Sequence, residues 1–370
     1  MNVVLLPGDG VGPEVMAEAR KALDALELGI AWTDVPWGSA WWAEHGTMMP
    51  ADAIDVLRGH DAILMGAVGD PAVPDDEALW GLILKIRQEL DLWVNVRPAR
   101  LLEGIPGPLA GRAPHDVDMV FVRENSEGEY AGVGGRVHRG FGHDVAIESS
   151  VFTRRGCERV IRYAFGMASA RKGVLVNATK SNASRFGFPF WDEIVAEVGA
   201  EFPGVVVDRM LVDALSARLI RDPGSVDVVV ASNLFGDILT DIAAALQGGM
   251  GMAASANLSP GGGVPALFEP VHGSAPDIAG RGIANPVGAI WSAALMLEQL
   301  GAGEGSRRLM DALETVCRRG PRTRDVGGTA TTAEVGDAVV AALAAQPLPA
   351  EDAGARRQLL ASADARGALR

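Results

Sequence analysis

The strongest constraint on the fold is a series of short apolar segments that alternate with helical patterns. The apolar segments are residues 3–7, 61–68, 118–125, 172–179 and 226–232. Amphipathic stretches lie between them, for example at 13–26 and 188–202. Continuous apolar runs that alternate with helices are typical of strands covered on both faces. The sequence therefore predicts an α/β fold around a largely parallel sheet.

Three further segments differ from this pattern. Residues 128–152 are rich in glycine with β-like alternation, and we interpret them as an exposed hairpin arm that meets a second subunit. Residues 253–289 are rich in Gly, Pro, Ser and Asn, which indicates a long functional loop. The tail, residues 346–370, is rich in Ala, Pro, Arg and Asp, and we expect it to be flexible.

Composition limits the classes of protein to which the chain can belong. Its 370 residues carry a formal net charge of −14 without a Lys- or Arg-rich block, which disfavours nucleic acid as a partner. The two cysteines, Cys157 and Cys317, exclude a disulfide framework and a Cys-rich zinc site. We find no signal-peptide pattern and no long apolar run, so we expect a cytoplasmic protein without a membrane span.

Two carboxylates, Asp237 and Asp241, follow the last apolar segment. We expect a turn through residues 233–236 and then a helix, on which residues four apart share a face. Helix capping explains an acid in a first turn, but it explains Asp241 poorly because that residue lies one turn further in. With Asp213, an acid in another apolar helical run, these carboxylates are candidate ligands for Mg²⁺ or Mn²⁺.

Three arginines accompany apolar segments. Arg87 falls in an amphipathic helical pattern, Arg97 follows the strand-like residues 92–96, and Arg123 lies near the end of 118–125. Each alone is most often a partner in a surface salt bridge. Arg97 and Arg123, however, are predicted at strand ends, where α/β proteins bind ligands. A guanidinium binds a carboxylate through two parallel hydrogen bonds, so the three together suggest a di- or tricarboxylate ligand.

Tyr130 and Lys180 are candidates for proton transfer. Tyr130 lies shortly after Arg123, and Lys180 follows the apolar segment 172–179. A packed ring and a solvated strand end are the alternative interpretations. Near a metal ion, a desolvated lysine can act as a base and a tyrosine can donate a proton.

Two glycine-containing loops are candidate phosphate sites. Residues 6–14, LPGDGVGPE, lack the dinucleotide-binding fingerprint because its third glycine would fall on Pro13, so a Rossmann fold is not indicated. Residues 267–286 are the better candidate, since backbone N–H groups around residues 272–275 can cradle a phosphate. Asp277 can accept hydrogen bonds from a ribose diol and repel a 2′-phosphate. A structured surface loop is the alternative.

Long motifs in these regions resemble those of the β-decarboxylating dehydrogenases, which include isocitrate, isopropylmalate, tartrate and D-malate dehydrogenases. The resemblance begins at residues 5–15 and extends to about Leu297. Its motifs are GAVGD (66–70), NVRPARLL (95–102), VRENSEGEY (122–130), NLFGDILTD (233–241) and EPVHGSAPDIAGRGIANP (269–286).

The resemblance implies an isopropylmalate dehydrogenase-like two-domain fold, not a Rossmann fold, and a homodimer. Residues 1–95 and 250–345 would form a discontinuous cofactor-binding domain. Residues 96–249 would form a middle domain that carries metal and substrate residues and the arm, with a flexible tail at 346–370.

The resemblance also implies roles for the metal and catalytic candidates. Asp237 and Asp241 would bind the divalent metal together with Asp213, which in this family comes from the partner subunit. Lys180, also from the partner, would be the base near the substrate hydroxyl. Tyr130 would be the acid that protonates the enolate.

Substrate and cofactor residues follow in the same way. Arg87, Arg97 and Arg123 would bind substrate carboxylates. The residues implied in NAD binding are His272, Gly273, Ser274, Ala275, Asp277, Ile278 and Asn285. Family members that use NADP carry lysine where this chain has Asp277. A monovalent cation such as K⁺ is a further candidate cofactor.

The helix before Arg87 contacts the variable group of the substrate in this family. Isocitrate enzymes carry serine and asparagine where this chain has Gly81 and Ile83, and isopropylmalate enzymes tend to carry Glu and Leu where it has Trp80 and Ile83. A bulky Trp80 would shrink an isopropyl pocket. Residues 79–87, 151–156 and 177–183 look most like tartrate and D-malate dehydrogenases.

The implied function is therefore NAD-dependent oxidative decarboxylation of a C4 2-hydroxy dicarboxylic acid, with a divalent metal. D-malate or a tartrate would be the substrate. The nearest alternative is 3-isopropylmalate dehydrogenase of leucine synthesis. A non-catalytic regulatory subunit is a distant alternative, because every expected metal and base position is filled.

Overall fold

A ten-stranded sheet forms the centre of the computed structural model, which describes residues 1–347. The predicted tail at 346–370 lies outside the described residues, apart from its first two positions. The strands of the sheet are β1 (Asn2–Gly8), β2 (Ala31–Asp34), β3 (Ala62–Ala67), β4 (Val94–Arg100), β5 (Asp118–Glu124), β8 (Val174–Thr179), β9 (Val206–Leu211), β10 (Val228–Ala231), β11 (Ala254–Leu258) and β12 (Ala266–Pro270). Strands β6 (Gly128–Val137) and β7 (Val145–Val151) form a separate hairpin.

The strand order in the sheet is β2-β1-β3-β12-β11-β4-β5-β10-β8-β9. Pairs on both flanks are parallel, whereas β11 pairs antiparallel with β12 and with β4, and β4 pairs antiparallel with β5. The predicted α/β fold with a largely parallel sheet is therefore confirmed. Strands from both ends of the chain form one flank and strands from its middle form the other.

Helices cover both faces of the sheet. Their bounds are α1 (Gly12–Asp24), α2 (Ser39–His45), α3 (Ala53–Arg58), α4 (Asp75–Ala78), α5 (Leu84–Glu89), α6 (Arg154–Ala170), α7 (Gly187–Gly199), α8 (Val212–Arg221), α9 (Asn233–Leu246), α10 (Val287–Gln299), α11 (Gly303–Arg319) and α12 (Thr332–Ala344). A π-helical turn, Leu79–Ile83, joins α4 to α5. Among residues 1–347, no helix is long and apolar enough to cross a membrane.

The pleat of the strands explains their continuous apolar sequences. In β1, Val3 and Leu5 pack into the larger apolar core, whereas Val4 and Leu6 pack into a second cluster on the opposite face. Successive side chains of a strand point to opposite faces, so a strand covered on both sides needs apolar residues at every position.

The hairpin of β6 and β7 is the predicted arm. Its strands pair antiparallel, with an irregular register between Gly128 and Val133. The arm carries exposed apolar side chains at Val133, Val137, Phe141, Val145 and Ile147. A two-stranded ribbon of this kind does not bury its own apolar side chains, so they form an exposed apolar surface on the arm.

Three local predictions were wrong. Residues 253–289 are not a continuous loop, because they contain β11, β12 and the first residues of α10. Helix α9 begins at Asn233 rather than after Gly236, since the predicted turn is already helical. Arg97 lies in the middle of β4, whose pairing with β5 continues through Arg100.

Candidate active site

A cleft of about 300 Å³ lies where the two flanks of the sheet meet. Substrate, catalytic and cofactor candidates from distant parts of the chain line it together. The candidates in its wall are Trp80, Ile83, Arg87, Arg97, Arg123, Tyr130, Asp237, His272 and Gly273. Glu269 and Pro270, at the end of β12, complete the same wall. A concave site with a few convergent polar groups is the usual form of a ligand pocket.

The three arginines are buried at the cleft. Arg87 lies in α5, Arg97 in β4 and Arg123 near the end of β5, and each is at most 6% exposed. Burial and the positive charge of Arg123 hold the pKa of Arg97 below its usual range. Burial also lowers the pKa of Arg123, and the negative charge of Asp237 opposes this decrease. Three buried cations in one small cleft favour an anionic ligand.

Asp237 is the point at which these groups meet. Its carboxylate accepts a hydrogen bond from Arg123, and it lies 3.4 Å from Nη1 of Arg97 and 3.4 Å from the hydroxyl of Tyr130. Burial opposes ionisation of Asp237, but the nearby guanidinium groups outweigh it and lower its pKa. Burial and the charge of Asp237 raise the pKa of Tyr130. The tyrosine is therefore protonated at neutral pH, as a proton donor requires.

Asp241 lies one turn after Asp237 on α9 and is exposed to solvent. Partial desolvation of its carboxylate beside the cleft and the negative charge of Asp237 nevertheless raise the pKa of Asp241. Asp241 makes no hydrogen bond or ion pair within the described residues. Two neighbouring carboxylates that repel each other, one of them without a cationic partner, fit a divalent cation between them.

Lys180 and Asp213 lie away from this pair. Lys180 follows β8 and Asp213 lies in the first turn of α8. Their side chains form an ion pair, with 2.5 Å between Nζ and Oδ1. Neither residue lines the cleft. Among residues 1–347, no group of three His, Cys, Asp or Glu side chains can hold a metal ion. Asp241 does not line the cleft either, so of the three predicted metal ligands Asp237 alone lies in its wall, with Asp241 one helical turn further along α9.

A buried polar network that the sequence did not reveal connects two of the arginines. Nε of Arg97 donates to Asn95 at 2.6 Å, and Asn95 donates to Asn257 at 2.9 Å. Asn257 then donates to Oε1 of Glu269 at 2.9 Å, and Arg87 donates to the same oxygen at 2.8 Å. Hydrogen bonds in a buried network restrict side-chain orientation, although the buried Nε of Arg87 has no hydrogen-bond partner among the described residues. We conclude that the two guanidinium groups are held in a set relative position.

The only sequence signal for this network is polarity inside apolar strands. Asn95 interrupts β4, Asn257 interrupts β11, and Glu269 lies near the end of β12. Buried amides and carboxylates require partners, so isolated polar residues in a core strand indicate a network. Their partners lie up to 182 residues away in sequence, so the pairing itself is visible only in the structure.

The predicted cofactor loop lies beside the glycine turn that follows β1. The backbone N–H of Val11 donates to the carbonyl of Ser274 at 2.8 Å, and a Cβ at Gly10 would collide with that carbonyl. Burial lowers the pKa of His272, and its Nε2 is buried without a hydrogen-bond partner among the described residues. A neutral imidazole with one unpaired nitrogen at the cleft wall fits a polar ligand atom such as those of a dinucleotide.

The other cofactor candidates have different surroundings. Asp277 is exposed, Ile278 packs against the larger core, and Ala275 has a positive φ of 41°. Asn285 is buried and donates to Asp325 at 2.9 Å, so it ties the loop to the 3-10 turn Arg324–Val326 rather than lining the cleft. The loop therefore supplies both ligand-facing and supporting residues.

The residues implied in substrate choice lie in the π-helical turn. Trp80 and Ile83 line the cleft, with Trp80 38% exposed and Ile83 buried. Gly81 faces the opposite way, where a Cβ would lie 2.8 Å from Cγ of Met48. A π-helical turn inserts an extra residue into a helix and is frequent at functional sites. Here it allows Trp80 and Ile83 to face the cleft while Gly81 packs on Met48.

The fold and this site have the form of an enzyme that binds a small anionic ligand in a cleft at the centre of the sheet. Residues 2–339 match the profile of the isocitrate/isopropylmalate dehydrogenase family. The chain belongs to the isocitrate/isopropylmalate dehydrogenase family.

Curated relatives cover nearly the whole chain. A probable tartrate dehydrogenase/decarboxylase of Bacillus subtilis is 49% identical over 92% of this chain and 98% of its own length. The decarboxylating D-malate dehydrogenase of Escherichia coli is 47% identical over 92% and 97%. The 3-isopropylmalate dehydrogenase of Nocardia farcinica is also 47% identical, over 93% and 100%. The resemblance stated from the motifs is confirmed, including its similarity to tartrate and D-malate dehydrogenases.

A solved structure supports the fold. The crystal structure of isocitrate dehydrogenase from Methylococcus capsulatus superposes with a TM-score of 0.85 at 36% identity, over 92% of this chain and 99% of that one. The predicted isopropylmalate dehydrogenase-like fold is therefore confirmed, whereas its division into two domains stays a prediction.

Proposed function

We propose that this protein is an NAD-dependent decarboxylating dehydrogenase of a four-carbon 2-hydroxy dicarboxylic acid, D-malate or a tartrate. Its relatives support the broader class, a decarboxylating hydroxy-acid dehydrogenase. The observation that carries the proposal is the convergence of Arg87, Arg97 and Arg123 on a small cleft whose wall includes the bulky Trp80. Buried arginines recognise carboxylates, and a cleft of about 300 Å³ suits a small diacid.

The chemistry is a hydride transfer followed by loss of CO₂. When bound, NAD supplies the hydride acceptor at C2 and a divalent cation supplies Lewis-acid polarisation of the oxygen on that carbon. The arginines hold the two carboxylates, so the substrate is oriented before reaction. Lys180 takes the hydroxyl proton as C2 is oxidised. After decarboxylation, Tyr130 returns a proton to carbon, which for D-malate yields pyruvate.

The metal and cofactor assignments rest on the chain's own groups. Asp237 and Asp241 would hold Mg²⁺ or Mn²⁺, supported by their mutual repulsion on one face of α9. The loop that carries His272 and Gly273 would hold NAD, and an acid at Asp277 favours NAD over NADP because it repels a 2′-phosphate. A requirement for K⁺ stays part of the proposal.

We further propose a homodimer in which each site uses residues of both subunits. Lys180 and Asp213 lie away from the cleft of their own chain, which fits their delivery to the cleft of a partner. The exposed apolar arm at 128–152 is the surface that would pair. A cytoplasmic location is supported by two buried free cysteines, Cys157 and Cys317.

The closest rival is 3-isopropylmalate dehydrogenase, since the Nocardia farcinica relative is as similar as the D-malate enzyme. Trp80 argues against it, because its indole takes up space at the part of the cleft that would receive an isopropyl group. A regulatory subunit is disfavoured, because it would not need the carboxylate pair, Lys180 and Tyr130 together.

The deciding experiment measures NADH formation with Mn²⁺ for D-malate, L-tartrate, meso-tartrate, 3-isopropylmalate and isocitrate. We expect the highest kcat/KM for D-malate or a tartrate. A highest value for 3-isopropylmalate would overturn the substrate assignment and place the enzyme in leucine synthesis.

A further inference from the structure

The indole of Trp80 does not stand free in the cleft wall. Its six-membered ring reaches from the π-helical turn to the base of the arm and lies against Gly132. A Cβ on Gly132 would lie 2.7 Å from Cη2 and 3.0 Å from Cζ3 of the indole. Contacts this short do not occur between real side chains, so only glycine permits the indole to lie where it does.

Gly132 belongs to an irregular segment of the arm. Regular pairing of β6 with β7 is interrupted between Gly128 and Val133, and Gly132 has a positive φ of 68°. An irregularity of this kind redirects side chains and is over-represented next to active sites. The same interruption contains Tyr130, so one bulge presents the proposed proton donor and supports the indole.

The bulge is held firmly on the other side. The carboxylate of Glu129 accepts from Ser232 Oγ at 2.8 Å and from the backbone N–H of Leu234 at 3.1 Å, at the start of α9. Nε2 of Gln88, in α5, lies 3.5 Å from the carbonyl of Tyr130. The bulge is therefore tied to both helices that line the cleft, and the partly exposed indole is the part that can move.

We infer that Gly132 is a specificity-determining position, at which bare backbone forms the seat for Trp80. If the proposed function is correct, the indole in this position favours four-carbon 2-hydroxy dicarboxylates over those with a branched substituent at C3. Any side chain at position 132 displaces the indole and changes which substrates fit. This inference rests on the proposed function, but it concerns how the cleft wall is held rather than which substrate is physiological.

The test is a double-mutant cycle on a selectivity ratio. The ratio is kcat/KM for D-malate or L-tartrate, whichever is better, divided by kcat/KM for 3-isopropylmalate. It is measured for the full-length wild type, Gly132→Ala, Trp80→Ala and the double variant. Gly140→Ala is the matched control, because Gly140 lies in the same arm with φ of 83° and has no atom of residues 1–347 of its own chain within 4 Å of its Cβ position. A ratio is insensitive to general loss of active protein.

We expect Gly132→Ala to shift the ratio about tenfold or more with Trp80 present and less than about twofold in the Trp80→Ala background. Gly140→Ala should leave the ratio unchanged. If Gly132→Ala fails to fold while Gly140→Ala, which carries the same kind of backbone strain, folds, the Trp80→Ala substitution should rescue folding because it removes the collision with the indole. An equal shift in both backgrounds, no shift, or absence of rescue would overturn the inference. A wild type that prefers 3-isopropylmalate would overturn the proposed function alone. The mutant cycle would still show whether the effect of Gly132→Ala on the ratio depends on Trp80.

Discussion

Arg87 donates a 2.8 Å hydrogen bond to Oε1 of Glu269, and both side chains are buried. The same oxygen accepts from Asn257, whose carbonyl oxygen accepts from Asn95. A single carboxylate thus neutralises one arginine of the cleft, Arg87, and begins the network that orients another, Arg97. The substrate would meet arginines already fixed in place, which reduces the entropy lost on binding.

Glu269→Gln should destabilise the protein by about 3 kcal/mol, because it removes the charge that compensates buried Arg87. A dicarboxylate ligand replaces part of that charge. Saturating substrate should therefore raise the melting temperature of the variant more than that of the wild type. Urea unfolding and thermal shift measure the two effects.

Glu314→Gln is the control for this variant. It breaks the ion pair with Arg100, which is partly exposed, and should cost less than about 1 kcal/mol. Equal losses for both variants would contradict the special position of Glu269.

Asp241→Asn should leave stability unchanged or improve it, because it removes the repulsion that raises the pKa of Asp241. It should also raise the Mn²⁺ concentration for half-maximal activity by about tenfold or more, because both carboxylates of the pair would contribute to metal binding. Metal titration of chelator-treated enzyme measures this. An unchanged half-maximal concentration would remove Asp241 from the metal site.

The shared-site proposal predicts complementation between inactive variants. Tyr130→Phe and Lys180→Met should each be inactive alone. Refolded together in equal amounts, they should regain about a quarter of wild-type activity, because half the dimers are mixed and each has one intact site.

Lys180→Met mixed with Asp213→Asn is the matched control. Both residues would be delivered by the same subunit, so every mixed dimer would have two damaged sites and activity should stay absent. Recovery with this pair, or none with the first, would contradict a site built from two subunits.

Asp277→Lys should change the preferred cofactor. A cation at this exposed position attracts a 2′-phosphate, whereas the native acid repels it. We expect the ratio of kcat/KM for NAD to that for NADP to fall by about tenfold or more. Asp277→Asn separates loss of repulsion from gain of attraction. An unchanged ratio for both variants would show that residue 277 does not contact the ribose.

Glu124 should make stability depend on pH. Burial raises the pKa of Glu124 to about 7, although hydrogen bonds from Ser126 and Glu127 favour its charged form. The unfolded carboxyl loses its proton near pH 4.3, so between about pH 4.3 and 7 the folded state holds more protons and stability falls as pH rises. From pH 5 to pH 8 the wild type should lose about 2 to 3 kcal/mol relative to Glu124→Gln. The free energy of unfolding is measured with denaturant at each pH. The same pH dependence in both proteins would contradict this prediction.

The strands of the core were predictable because their composition is nearly uniform. Residues 3–7, 61–68, 118–125, 172–179 and 226–232 correspond to β1, β3, β5, β8 and β10. Strands β11 and β12 were missed, since five-residue strands between Gly, Pro and Ser residues carry little periodicity. Their burial comes from pairing with β3 and β4, which are far away in sequence.

For the site, too, local sequence predicted individual residues, whereas their contacts depend on tertiary structure. Arg87, Arg97 and Arg123 stood out because charge inside apolar segments is conspicuous. The convergence of Arg123 and Tyr130 on Asp237 depends on tertiary structure, as do the partners of Asn257. Sequence patterns report which faces are buried, whereas contacts across the sheet depend on strand order, which local patterns do not encode.

The strand order also has a consequence for synthesis on the ribosome. Strand β3 pairs with β12, and β4 pairs with β11, so β1 to β4 lack two central neighbours until residue 270 has left the exit tunnel. Strands β5, β10, β8 and β9 come from one continuous stretch and can assemble earlier. During translation, the first hundred residues therefore expose unpaired strand edges, which are templates for aggregation. A nascent chain that stalls before β11 is the form of this protein that most needs a chaperone.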